Sequence, residues 1–169
     1  MKRENVIAER VIAQLNRHKQ NGFHVDSRLL SEVAKPGLSV LILEAEAEFL
    51  SLVWQATEAT RPLTPKGQPR TLHDCAGRLI DFDWKFETLI KRGYTWFQQC
   101  ADIDGKFDIE KVGWVAVTPL VAGEQKYTPN GSYYVYDGVH KSIVVAKRIL
   151  RREFKYRPIK VLLLEPRRH

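Results

Sequence analysis

The residues best able to do chemistry stand together at Tyr134-Val135-Tyr136-Asp137-Gly138-Val139-His140-Lys141. β-prone residues lead through an acid and a glycine into a run with helical spacing. The first turn of a helix leaves backbone N–H groups without intrahelical acceptors and carries a partial positive charge, so it can hold a phosphate. His140 and Lys141 add donors at that end. A lysine in a first turn opposes the helix dipole by about 0.3–1 kcal/mol, a cost that an anionic neighbour would offset. The same residues also admit a plainer reading. Asp137 would cap the helix, Gly138 would turn the chain, and His140 and Lys141 would be solvated.

The helix expected from about His140 to Phe154 carries Ile143, Val145, Ala146, Ile149 and Leu150 on its apolar side. Lys141, Arg148, Arg152 and Lys155 fall at offsets of 0, 7, 11 and 14, which is one helical face, with Arg151 at its edge. The chain as a whole has a net charge of +7, and the excess lies at one end. Residues 141–169 hold ten Lys/Arg and two acids, whereas residues 1–140 hold seventeen Lys/Arg against eighteen acids. Such a block attracts polyanions, and nucleic acid is the commonest of these in a cytoplasm. A solvated basic helix with a charged tail is the alternative.

Other constellations are less complete. Asp102, Asp104, Asp108 and Glu110 surround Asp104-Gly105, but an EF-hand loop counted from Asp102 would need a glycine where Phe107 stands. His73-Asp74 has no neighbour in sequence that completes a metal or hydrolytic site. No Walker A loop, GxGxxG, HExxH or GxSxG motif occurs. Trp96, Phe97 and Trp114 read as core in preference to a base-stacking platform.

At 169 residues, 44% hydrophobic and 28% charged, the chain has the composition of a soluble globular protein. A chain of this length buries roughly 70% of its unfolded surface and needs no metal or disulfide staple. Cys75 and Cys100 stand apart without CxxC spacing and read as reduced thiols. The longest aliphatic runs, Val40 to Leu43 and Val161 to Leu164, are far below the ~20 residues of a membrane span. No signal peptide is expected, and the compartment reads as cytoplasmic.

Val6, Ile7, Val11, Ile12 and Leu15 predict a first helix closed by Gly22. Asp26 or Ser27 can cap a second through Leu29, Leu30 and Val33, ended by Pro36-Gly37. Ser39 can cap a third, running to about Thr57 through Leu41, Ala45, Leu50 and Trp54. Residues 59–70 hold three prolines and a glycine and read as a loop between a helical N-terminal region, 1–58, and an α+β domain, 71–169. The spacing from Leu72 to Gly93 is again helical. Val112 to Val117 then predicts a buried strand, 122–132 a turn-rich stretch, Tyr133 to Tyr136 a second strand, and Ile159 to Leu164 a last one. The expected fold class is α+β, a small mixed sheet with helices.

Asp137-Gly138-Val139-His140-Lys141, followed by Ala146-Lys147, resembles the glycine-turn signature of the ParB/sulfiredoxin superfamily. Val112 to Val121 resembles the strand before that signature, and Tyr156-Arg157-Pro158-Ile159-Lys160-Val161 the proline-led strand after it. The likeness covers about residues 112–166. It implies phosphate binding by Gly138, Val139, His140, Lys141 and Ser142, with ATP or CTP as the nucleotide and Mg2+ as its companion. The signature's arginine is Lys141 here, which keeps the charge and loses the bidentate fork. Val139 stands where sulfiredoxins carry their reactive cysteine, so that reaction is excluded. The architecture is similar to small fertility-inhibition proteins of plasmids, the Osa type, to which ATPase and DNase activity are ascribed.

The resemblance therefore implies a nucleotide hydrolase acting on DNA. Asp137 is the first candidate for the catalytic carboxylate and Glu124 the second, with His140 as a further catalytic candidate and the metal ligands left open. Lys147, Arg148, Arg151, Arg152 and Lys155 would face nucleic acid, DNA ahead of RNA. The alternatives are a non-catalytic DNA clamp and a protein-interaction module in which Val6, Val11 and Leu15 meet a partner. No membrane partner is expected.

Overall fold

The computed structural model describes residues 1–5, 8–20, 27–35, 38–109, 114–120, 128 and 133–164. Glu124 and Glu110, the stretch 122–132 apart from Thr128, and Val6, Ile7, Gly22, Asp26, Pro36, Gly37 and Val112 lie outside the described residues.

The described chain runs β1 (Lys2–Asn5), α1 (Ala8–Gln20), α2 (Ser27–Val33), β2 (Ser39–Leu43), α3 (Glu46–Leu50), α4 (Leu72–Gly77), α5 (Phe86–Lys91), α6 (Gln98–Gly105), β3 (Val115–Pro119), β4 (Tyr133–Asp137), α7 (Val139–Leu150) and β5 (Ile159–Leu163). Short 3-10 turns, Arg78–Phe82 and Thr95–Phe97, link the helices between α4 and α6. The fold is α+β. The five strands form one mixed sheet in the order β1-β2-β5-β3-β4, in which only β3 and β5 run parallel.

Successive strand residues point to opposite faces, and the core divides accordingly. Leu41, Leu43, Val115, Val117 and Val161 enter the larger cluster with α4 to α7, while Val40, Ala116 and Leu162 join Val11, Leu15, Leu29 and Val33 of α1 and α2. The sheet is thus covered on both faces, which is why its inner strands read as unbroken apolar runs. Val11 and Leu15 belong to this second core, so their apolar stripe is spent inside the chain.

Two expectations are corrected here. The third helix, from Ser39 to about Thr57, does not form. Ser39–Leu43 is strand β2, inserted between β1 and β5, and the helix after it covers only Glu46–Leu50. Residues 1–58 are accordingly not a helical region set before a separate sheet, because β1 and β2 supply two of its five strands. The loop at 59–70 is held by the rest of the fold. The Arg78 guanidinium donates to the carbonyls of Leu63 (2.8 Å) and Pro69 (2.7 Å), and Thr60 is buried within a threonine hydroxyl network. Among the described residues no helix is long and apolar enough to cross a membrane.

Candidate phosphate-binding turn

β4 delivers the chain to Asp137, Gly138 turns it at φ +75°, and α7 begins at Val139. The turn lies hard against β3. A Cβ built on Gly138 would stand 3.2 Å from the Trp114 carbonyl oxygen and 3.2 Å from both Cα and Cγ2 of Val115. Glycine is therefore required twice over, by the left-handed backbone and by the close approach.

Glycine at the N-cap also means that no side chain of the cap accepts from the first-turn amides of α7, and no acid stands in that turn. Both features favour an external anion over an internal one. Lys141 lies in the same turn. Partial burial pushes its ammonium pKa down, and the Asp137 carboxylate opposes that shift. The Asp137 carboxylate and the Lys141 ammonium thus attract each other across the glycine turn.

The rest of the turn is fixed from below. The Trp54 indole N–H donates to the Val139 carbonyl at 3.0 Å, and the Ser142 hydroxyl donates to that oxygen at 2.8 Å. Ser142 is fully buried and returns its hydroxyl to its own helix, which corrects its expected place as a ligand contact. His140 is not a solvated donor either. Its ring stacks on Trp96 with centroids 4.0 Å apart and 25° between planes, and Trp96 meets the edges of Trp54 and Phe97.

Burial lowers the His140 pKa from 6.5 to about 4, so the imidazole is neutral at pH 7 and brings no positive charge to a phosphate. The sign of the pH dependence follows. A base whose folded pKa lies below its unfolded value binds fewer protons when folded, so stability is lost as pH falls through the interval from 6.5 to about 4. We expect the His140 ring protons to titrate in NMR with a midpoint of about 4. His140→Phe should flatten the fall in denaturation midpoint across that interval. A midpoint near 6.5 would mean that the stack on Trp96 does not persist in solution.

The basic flank differs most from expectation. α7 ends at Leu150, because Arg152 adopts φ +55° and the Glu153 N–H turns back to the Arg148 carbonyl. Arg152 and Lys155 are exposed but no longer continue the helical face that contains Lys141 and Arg148. Lys147 is not on the surface at all. Only 5% exposed, it forms a salt bridge with Asp104 of α6 and lies 5.2 Å from the centre of the Phe86 ring. Arg148 donates to the Asp104 carboxylate at 2.8 Å, pairs with Glu153 at 3.1 Å and lies over Phe107. Arg151 is exposed and pairs with Glu153 at 2.8 Å. Three of the block's cations are therefore held in ion pairs, one of them buried.

The weaker constellations also find structural roles. Asp74 closes a capping box on α4, accepting from the Thr71 N–H and hydroxyl. Asp104 is committed to Lys147 and Arg148, and Asp102 accepts from Gln98 at 3.0 Å. Cys75 and Cys100 are buried free thiols, and burial pushes the Cys75 pKa up to about 12. Among the described residues no group of three or more His, Cys, Asp or Glu is placed to hold a metal ion. Trp54 and Trp96, which shape the candidate turn, lie 85 and 44 residues from the groups they touch, and no spacing in the sequence joins them. Comparison with known proteins finds no matching family model, no matching curated protein and no matching solved structure.

Proposed function

We propose that this chain is a cytoplasmic nucleotide-binding protein of ParB/sulfiredoxin-like architecture that hydrolyses ATP or a related nucleotide, with Mg2+, and acts on DNA. The observation that carries the reading is the glycine-capped, acid-free start of α7 with Lys141 in its first turn. Unpaired first-turn amides with a lysine in the same turn suit an oxyanion. Gly138, Val139 and Lys141 would contact the phosphates, and Asp137 would orient the attacking water. His140, neutral and stacked, shapes the turn and carries no positive charge at pH 7. Of the residues expected to face nucleic acid, Arg151, Arg152 and Lys155 are exposed beyond the end of α7 and would meet a DNA backbone.

Phosphate release from ATP and from CTP, measured with Mg2+ and with or without DNA, tests this reading. Removing one well-placed donor to a developing oxyanion costs about 100-fold or more in kcat, so Lys141→Ala should lose at least that much turnover. A wild-type protein that neither binds nor hydrolyses either nucleotide would overturn it.

A further inference from the structure

A second feature, apart from the glycine turn, is an open cleft between α3 and α4 of about 490 Å³. Ala47, Leu50 and Pro69 give it an apolar part, and Glu46 from α3 with His73 and Asp74 from α4 bring polar groups to its lining. The volume falls within the range of small-molecule pockets, roughly 300–1,000 Å³, in which an apolar lining meets a few convergent polar groups. Among the described residues the lining has two carboxylates and no lysine or arginine, in a chain whose net charge is +7.

The polar groups divide into two kinds. Thr71 holds one oxygen of Asp74, Oδ2, and so fixes the direction of that carboxylate. Glu46 and His73 are exposed and accept or donate no hydrogen bond among the described residues. A guest that fills the apolar part and carries a positive charge would complement the two carboxylates of the lining. A guest of the opposite charge would meet two carboxylates and no fixed cation.

We propose that the α3–α4 cleft binds a small organic cation with an apolar body, an aryl- or alkyl-amine, between Glu46 and Asp74. The site does not depend on nucleotide binding at the start of α7.

The test uses the full chain, 15N-labelled, and three probes of one shape: 2-phenylethylamine, 2-phenylethanol and phenylacetate. The amine should shift the amides of residues 46–51 and 69–74 and bind about fivefold or more tighter than the alcohol, the scale that solvent-exposed charge pairs reach. Phenylacetate should bind weakest. Glu46→Gln, an exposed substitution, should bring the amine and the alcohol close together, and Ala47→Trp should block all three by filling the cleft. Equal affinity for amine and alcohol, shifts confined to other residues, or no shifts at all would overturn the proposal. Unchanged binding in Ala47→Trp would place the guest elsewhere and overturn it equally.

Discussion

Replacing Gly138 with alanine is expected to destabilise the fold by about 2–3 kcal/mol, which for a chain of this size lowers Tm by roughly 5–10 °C. Two effects add. A residue with a Cβ at φ +75° costs about 1–2 kcal/mol against glycine. The new Cβ also meets the Trp114 carbonyl and Val115 Cα at 3.2 Å, backbone atoms at the start of a strand in the middle of a sheet, which cannot give way cheaply. Gly93 and Gly67 separate the two effects. Each has a positive φ, +94° and +78°, and neither has anything within 4 Å of its built Cβ. Gly93→Ala and Gly67→Ala should therefore lose only the conformational part, about 1 kcal/mol in urea unfolding. If all three variants lose the same stability, the close approach of the turn to β3 contributes nothing.

Asp104→Ala is expected to be the more damaging of two changes at one ion pair, costing about 3–5 kcal/mol. Lys147 sits 5% exposed, and its ammonium depends on the Asp104 carboxylate, itself on a side chain 16% exposed. Removing the acid leaves Lys147 as a buried cation without its carboxylate, beside the Phe86 ring, and takes one of the partners of Arg148. Lys147→Met removes the buried charge together with its need for a partner, and should cost less than about 1.5 kcal/mol, in line with well-packed replacements of buried charges. The double variant Asp104→Ala, Lys147→Met should then recover much of the loss, because the two sites are coupled. Thermal unfolding of the four proteins completes the cycle. Additive losses would show that Asp104 acts through Arg148 alone.

Lys147 also shows what could be read along the chain and what could not. Its position within α7 is one helical turn after Ile143, and local spacing marks it only as one more cation in a basic block. Its burial is decided by an acid 43 residues earlier on another helix, and no periodicity records that meeting. The strand–glycine–helix unit at residues 133–150 was legible because each part has a local cause: aromatic and β-branched residues, a glycine where φ is positive, then apolar residues at helical spacing.

β2 was illegible for the opposite reason. Ser39–Leu43 is apolar on both faces because both faces are covered, so the period of two is erased, and the alanine- and glutamate-rich run after it extends a helical pattern backwards. β1, with the sequence Lys-Arg-Glu-Asn, carries no apolar signal because an edge strand is protected by charge. Within the candidate turn, Gly138 and Lys141 could be named from the sequence. The neutral, stacked state of His140 could not, since it depends on Trp96 brought in by a distant 3-10 turn.

The strand order β1-β2-β5-β3-β4 places the last of the described strands at the centre of the sheet. β5 alone joins the β1–β2 pair to the β3–β4 pair, through its antiparallel edge to β2 and its parallel edge to β3. During synthesis on a ribosome, the two hairpin-like halves would emerge with a gap between them and two unsatisfied inner edges. Neither half can complete its backbone hydrogen bonding until residues 159–163 have left the exit tunnel. Closure of the sheet in this protein therefore waits on β5, and a nascent chain that still lacks it is open to a chaperone, or to mispairing, at two inner edges.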